Sequence, residues 1–88
     1  MNNEQILKYF GERIKGLRNK KGLSQERLSF ETGFHRTYIG MIERGERNLS
    51  LTNIVVFAKY FELSLSELFD FPEINSHKKY PLKNKDNV

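Results

Sequence analysis

The sequence has no cysteine and only two histidines among its 88 residues. Without cysteine the chain can form neither a disulfide nor a thiolate metal site, and the absence fits a reducing, cytoplasmic environment. The two histidines, His35 and His77, lie far apart and lack the spacing of metal ligands. We therefore expect no metal site and no cofactor.

Long apolar runs and catalytic motifs are also missing. No stretch of about twenty apolar residues occurs, and the amino terminus lacks the charged-then-apolar pattern of a secretory signal. We expect neither a membrane span nor a signal. There is no convincing Ser-His-Asp set, no clustered carboxylate pair and no glycine-rich phosphate loop, so we predict that the protein is not an enzyme.

Positive charge is in excess but unevenly placed. The net charge is +4, of which residues 72–88 carry +2, because four lysines face one glutamate and one aspartate there. An excess this small does not by itself predict nucleic-acid binding. This polar end contains both prolines of the chain, Pro72 and Pro81. The change in composition predicts a domain over residues 1–71 and a lysine-rich tail over 72–88. The tail is interpreted either as a mobile extension or as a segment that docks on the body or on a second subunit.

Apolar spacing predicts consecutive helices. In the first, apolar residues recur every three or four positions, the pattern of an amphipathic helix: Ile6, Phe10, Ile14 and Leu17. Gly22 ends this helix, and Ser24 is the predicted N-cap of a second one, which stops at Gly33.

Three more helices complete the predicted all-α architecture of five short helices. The third starts near His35 and closes at Gly45, and Ser50 opens the fourth. The predicted apolar face of the fourth helix is Leu51, Ile54, Phe57, Ala58 and Phe61. Ser64 and Glu67 form a capping box for the fifth, whose predicted inward residues are Leu65, Leu68 and Phe69.

The segment from Gln25 to Arg44 carries the functional signal. Ser29 is a small residue at a helix crossing, Gly33 follows four residues later, and the aliphatic residues Ile39 and Ile42 stand six and nine beyond it. This spacing is that of a helix-turn-helix.

The chain resembles the helix-turn-helix domain of phage repressors, Cro proteins and Xre-type regulators. The likeness rests on Gly-Leu-Ser-Gln-Glu at 22–26 and Arg-Thr-Tyr-Ile-Gly-Met-Ile-Glu-Arg-Gly at 36–45, and it extends over residues 6–71. Within that family, the run His-Arg-Thr-Tyr-Ile with Glu-Arg-Gly and Arg-Asn-Leu-Ser most resembles the controller proteins of restriction–modification systems. The resemblance implies a lambda-repressor-like fold and a transcriptional regulator that binds double-stranded DNA.

The third helix is the predicted reader of base edges. With Ile39 and Ile42 turned inward, the residues predicted to face the major groove and contact bases are Arg36, Thr37, Gly40 and Met41. A bidentate arginine–guanine pair is worth about 1–3 kcal/mol of discrimination. A glycine at position 40 destabilises the helix by about 1 kcal/mol relative to alanine. Its presence there is explained either by close approach of the DNA to the backbone or by simple tolerance of the cost.

A second set is predicted to hold phosphates. In the family, the glutamine at position 25 contacts phosphate and braces the recognition helix. The remaining candidates are His35, Tyr38, Arg44, Arg47, Asn48 and Ser50, for each of which ordinary surface polarity is the alternative. The resemblance also pairs Arg18 with Glu43 as a partly buried, structural ion pair.

Homodimerisation is predicted through the fifth helix, because proteins of this kind read two half-sites roughly 34 Å apart. The expected interface is Leu65, Phe69 and Phe71, although these residues could instead close the monomer core. The predicted function is that of a dimeric regulator on a palindromic operator, acting on its own gene and on restriction–modification genes, without a small-molecule effector. The alternative is an antitoxin of the same family that neutralises a partner protein through the tail.

Overall fold

Five helices build the part of the chain that the computed structural model describes, residues 2–75. They are α1 (Asn3–Lys20), α2 (Gln25–Thr32), α3 (Arg36–Glu43), α4 (Leu51–Tyr60) and α5 (Leu65–Leu68). No strand occurs in this part of the chain. The predicted all-α, five-helix architecture is confirmed. The tail predicted over residues 72–88 lies outside the described residues from position 76 onward.

Every helix begins at a residue whose side chain accepts a hydrogen bond from a backbone amide of the first turn. These N-caps are Asn2, Ser24, His35, Ser50 and Ser64. Such caps satisfy amides that have no partner inside the helix. The predicted box at Ser64 and Glu67 is present, and a second box joins Asn2 to Gln5 at the start of α1. At the end of α2, Gly33 has φ +81°, the left-handed conformation that glycine adopts without strain.

One apolar core joins all five helices. Its buried members are Phe10, Ile14, Leu28, Ile39, Ile42, Phe57, Ala58 and Leu68. Among the half-buried aromatic residues around this cluster, Phe34 lies with its ring centroid 5.1 Å from that of Phe57. The core therefore fixes α3 against both α1 and α4.

Two predicted inward residues are exposed instead. Leu51 is 69% exposed and Leu65 is 40% exposed, so the prediction that they face the core is wrong. Each is the first residue of its helix, where the side chain extends past the end of the core. The buried contacts of these helices come from Phe57, Ala58 and Leu68, which lie further along them.

Helices α1 and α3 touch backbone to backbone. A Cβ atom at Gly11 would overlap the carbonyl oxygen of Ile42 and lie 2.8 Å from that of Glu43. A Cβ atom at Gly45 would lie 2.8 Å from the Cα atom of Lys8. Only glycine fits at these two contacts, and α3 is thereby held directly on α1.

A side chain of α1 also forms hydrogen bonds with the backbone of α5. Arg13 donates from Nε to the carbonyl oxygen of Leu68 at 3.0 Å and from Nη2 to that of Glu67 at 2.7 Å. A guanidinium at the carboxyl end of a helix satisfies carbonyl groups left without intrahelical partners. Within residues 2–75, no helix combines the length and apolar character needed to cross a membrane.

Candidate nucleic-acid interface

The turn between α2 and α3 sets the angle of the second helix. The hydroxyl of Ser29 donates to the carbonyl oxygen of Phe34 at 2.6 Å, closing the turn from the α2 side. Leu28 of α2 and Ile39 and Ile42 of α3 are fully buried beneath it. One face of α3 is therefore held in the core, and the opposite face is free to meet a ligand.

The outer face of α3 borders an open groove of about 270 Å³. It is lined by Gln25, Arg36, Thr37, Gly40 and Arg44. Arg36 and Thr37 are exposed at the amino end of α3, whereas Met41 is half-buried and lies outside this lining. The structure thus brings three of the four predicted base-contacting residues together with two of the predicted phosphate-contacting ones.

Gly40 forms the floor of this groove. The residue is buried, and a Cβ atom there would lie 3.1 Å from Nη1 of Arg44 and 3.7 Å from Oε1 of Gln25. The absence of a side chain lets these two polar groups lie across the helix. This contact within the chain is a third reason for a glycine at position 40, beside close approach of DNA and simple tolerance.

A buried network anchors the carboxyl end of α3. Arg18 of α1 donates to both carboxylate oxygens of Glu43, at 2.7 and 3.0 Å, and also to the carbonyl oxygen of Leu23 at 2.7 Å. The Arg18 and Glu43 side chains are 10% and 3% exposed. Gln25 donates from Nε2 to the same carboxylate at 3.0 Å. Three helices therefore meet at Glu43, and the amide of Gln25 is fixed beside the groove.

A second cluster joins α3 to α4. The hydroxyl of Tyr38 accepts a hydrogen bond from Nδ2 of Asn53 at 2.9 Å, and the guanidinium of Arg47 lies 5.3 Å from the Tyr38 ring centroid. Tyr38 is half-buried, and Arg47 is exposed. Asn53 was missed from sequence because its partner stands fifteen positions earlier on another helix, and only the fold brings the two together.

The remaining predicted phosphate ligands lie on exposed helix ends and in the connection after α3. His35 caps α3, because its Nδ1 accepts a hydrogen bond from the backbone amide of Thr37 at 3.1 Å. Ser50 caps α4, because its hydroxyl accepts a hydrogen bond from the backbone amide of Asn53 at 3.2 Å. Asn48 is exposed between them in sequence. Backbone amides at such helix ends favour anions, so this surface suits a row of phosphates.

Arg44 follows the last residue of α3 and is engaged by a carboxylate. Its Nε and Nη2 atoms donate to Glu46 at 2.9 and 3.2 Å, and both side chains are more than half exposed. This hydrogen-bonded contact raises the pKa of Arg44 and lowers the pKa of Glu46. No sequence pattern predicted a role for Glu46.

The predicted dimer residues differ in exposure. Leu65 is on the surface, and Phe69 is half-buried, with its ring stacked 5.4 Å from that of Phe10. Phe71 is only 7% exposed, beside Phe69 in its own chain. The low exposure of Phe71 fits the alternative in which it caps the monomer core, and the assignment of all three residues to a dimer interface stays a prediction.

Comparison with known proteins agrees with this geometry. The model of the helix-turn-helix family matches residues 14–68. The chain is 43% identical over 76 residues to the control protein C.BamHI of Bacillus amyloliquefaciens, covering 85% of this chain and 91% of that protein. It is 41% identical over 63 residues to the control protein C.SmaI of Serratia marcescens, covering 72% of this chain and 75% of that protein.

A solved structure adds the same likeness in three dimensions. The restriction-modification controller protein C.AhdI of Aeromonas hydrophila superposes with a TM-score of 0.69 at 48% identity, covering 74% of this chain and 98% of that one. These relatives favour the regulator hypothesis over the antitoxin one, and the predicted resemblance is confirmed. The chain belongs to the helix-turn-helix family of DNA-binding transcriptional regulators and is of the restriction–modification controller type.

Proposed function

We propose that the protein binds a palindromic operator as a homodimer in the cytoplasm and regulates its own gene together with restriction–modification genes. The observation that carries this proposal is the groove on α3, where Arg36 and Thr37 stand exposed on a helix whose opposite face is fully buried. The relatives named as control proteins of such systems support the choice of target genes.

Base reading is assigned to the amino end of α3. The guanidinium of Arg36 has the fork of donors that matches O6 and N7 of guanine, and the Thr37 hydroxyl can bond a base edge or the adjoining phosphate. Gly40 contributes to the base-reading surface through the room that it leaves over the middle of the helix, where polar groups of Arg44 and Gln25 lie. The Met41 thioether suits a thymine methyl group. These contacts discriminate between sequences, and the buried Arg18–Glu43–Gln25 network keeps the helix that carries them in place.

Phosphate contacts surround the reading helix on both sides. Gln25 and His35 stand at the starts of α2 and α3, and Ser50 at the start of α4. The other phosphate ligands proposed are Tyr38, Arg44, Arg47 and Asn48. Contacts of this kind fix the register and orientation of the protein on DNA without reading sequence.

Dimerisation is assigned to the surface around α5, with Leu65 in direct contact and Phe69 at its edge. Two copies related by a two-fold axis present two α3 helices to successive major grooves, about 34 Å apart. Since dimers form in proportion to the square of monomer concentration, operator occupancy rises steeply as the protein accumulates. Regulation then needs no effector molecule.

The test is a fluorescence-anisotropy titration against the DNA immediately upstream of the protein's own gene, at physiological salt with excess random duplex. The wild type is compared with Arg36→Ala and with Lys59→Ala, which removes a positive charge at the far end of α4 from Ser50. We expect binding that resists competitor in the wild type and in Lys59→Ala and that is lost in Arg36→Ala. Weak binding that competitor removes equally from all three proteins would contradict sequence-specific regulation.

A further inference from the structure

The pair formed by Arg44 and Glu46 lies at the edge of the base-reading groove. The carboxylate of Glu46 accepts from Nε and Nη2 of Arg44, at 2.9 and 3.2 Å, in a bidentate arrangement. Arg44 itself lines the groove with Arg36 and Thr37. An acidic side chain at a surface that meets phosphates opposes DNA binding by repulsion, so its presence there needs a compensating role.

The geometry leaves one end of the guanidinium free. With Nε and Nη2 turned toward Glu46, Nη1 lies over Gly40, 3.1 Å from the place where a Cβ atom would stand. None of the hydrogen bonds of the described residues uses Nη1 of Arg44. Its N–H groups are therefore held at the groove floor, where DNA would enter.

We propose that Glu46 is a positioning residue, which orders Arg44 over Gly40 for a single contact in the specific complex and thereby raises sequence discrimination while lowering general affinity for DNA. This inference rests on the proposed DNA-binding function. It assigns no direct DNA contact to Glu46.

The physical basis is the entropy of a long side chain. An unrestrained arginine loses rotamer freedom when it must meet one group at a fixed place, and ordering it beforehand removes that loss, which corresponds to about threefold to tenfold in affinity. The specific complex fixes the register of the duplex and therefore the place of the phosphate that Arg44 meets. Complexes with random sequence form in many registers, so they gain nothing from the ordering and suffer only the repulsion by Glu46. The repulsion by Glu46 therefore weakens both complexes, whereas the ordering of Arg44 strengthens only the specific one.

The experiment measures Kd for two probes: a duplex selected by the wild-type protein from a randomised library, and a shuffled duplex of the same composition. Glu46→Ala is expected to bind the shuffled duplex more tightly than wild type and to lower the ratio of specific to shuffled affinity by about threefold to tenfold. Glu46→Gln keeps one acceptor oxygen and should lose less of that ratio. The charge control is Glu12→Ala, which lies on α1 in a separate groove beside Phe71.

Two further outcomes decide the matter. In an Arg44→Ala background, Glu46→Ala should leave the affinity ratio unchanged, because the residue through which it acts is gone. A ratio that falls equally in that background, or one that stays constant in Glu46→Ala while both affinities rise, overturns the inference. Failure of the wild type to enrich any sequence would instead overturn the proposed function, and this inference with it.

Discussion

Asn53 on α4 donates its side-chain amide to the hydroxyl of Tyr38 on α3 over 2.9 Å, so the two helices nearest the proposed DNA surface are joined by a side-chain hydrogen bond. The rings of Phe34 and Tyr38, 5.2 Å apart, continue this connection into the core. The Tyr38 hydroxyl thus has a structural partner as well as a proposed phosphate partner. The two roles are separable by mutation.

Tyr38→Phe removes the hydroxyl, and Asn53→Ala removes only its structural partner. We expect each to lower the free energy of unfolding by about 0.5–1.5 kcal/mol, the usual net worth of one hydrogen bond. Operator affinity should fall more in Tyr38→Phe, because only that variant loses the proposed phosphate contact. Urea unfolding and anisotropy titration measure the two effects, and equal losses of affinity would show that the hydroxyl serves only the helix contact.

The buried pair of Arg18 and Glu43 should dominate stability. Arg18→Ala leaves the carboxylate of Glu43 buried with one remaining side-chain donor, Gln25, at an expected cost of about 3–5 kcal/mol in unfolding free energy. The control is Arg27→Ala on the exposed pair of Arg27 with Glu31, where about 0.5 kcal/mol or less is expected.

Urea denaturation monitored by circular dichroism distinguishes these variants. The expected loss in Arg18→Ala is a large share of the stability of a small domain, so this variant could unfold completely. A second variant therefore keeps the prediction testable. Arg18→Met combined with Glu43→Leu removes both charges and should recover most of the loss. A double variant as unstable as Arg18→Ala would show that the lost hydrogen bonds to the Leu23 carbonyl and from Gln25, and not an uncompensated charge, cause the effect.

Substitution on α5 should weaken the dimer. Leu65→Glu places a charge on the proposed interface, and we expect its dimer dissociation constant to rise about tenfold or more, because a charge is costly to bury without a partner. Phe30→Glu is the matched control, since Phe30 is 77% exposed on α2, away from the proposed interface. Sedimentation equilibrium reports both constants. The assignment of the dimer interface to α5 is wrong if Phe30→Glu dissociates the dimer and Leu65→Glu does not.

The cap of α5 should respond to acid. The amide of Ser64 donates to the Glu67 carboxylate, and this backbone hydrogen bond lowers the pKa of Glu67. A carboxylate with a lowered folded-state pKa contributes stability at neutral pH, and that stability is lost as pH falls through the folded-state value.

Glu67→Gln keeps the shape of the side chain but does not ionise. The stability difference between wild type and Glu67→Gln should therefore be present at about pH 7 and shrink below about pH 4, where glutamates protonate. Comparing the two proteins removes the contribution of Glu46, whose pKa is also lowered. A difference that stays constant across this range would contradict the assignment.

Local signals predicted most of the architecture. Ser24, Ser50 and Ser64 cap helices as expected, because capping depends on a side chain and an amide two or three residues away. The 3.6-residue period predicted the buried apolar residues Phe10 and Ile14 of α1 and Ile39 and Ile42 of α3, whereas the predicted Ile6 and Leu17 are half-buried. Periodicity failed at Leu51 and Leu65, since it assigns a direction around a helix but not how far along the axis the core extends.

Contacts between elements were less accessible to sequence reasoning. Arg13 was not singled out, because its carbonyl partners stand more than fifty positions away. Glu46 was overlooked because it lies beyond the end of α3, where helical spacing rules no longer relate it to Arg44. The floor position of Gly40 likewise depends on where two long side chains from neighbouring segments lie.

The glycine contact between α1 and α3 supports α3 at the end opposite to the residues proposed to read DNA. Gly11 meets the carbonyl groups of Ile42 and Glu43 at the carboxyl end of α3, whereas Arg36 and Thr37 stand exposed at the amino end. If the proposed base-reading role of positions 36 and 37 holds, substitutions there change the chemistry presented to DNA without altering the glycine contact that supports the helix. The same proposal implies that new operator preferences can arise, or be engineered, by exchanging these two side chains on an otherwise unchanged scaffold.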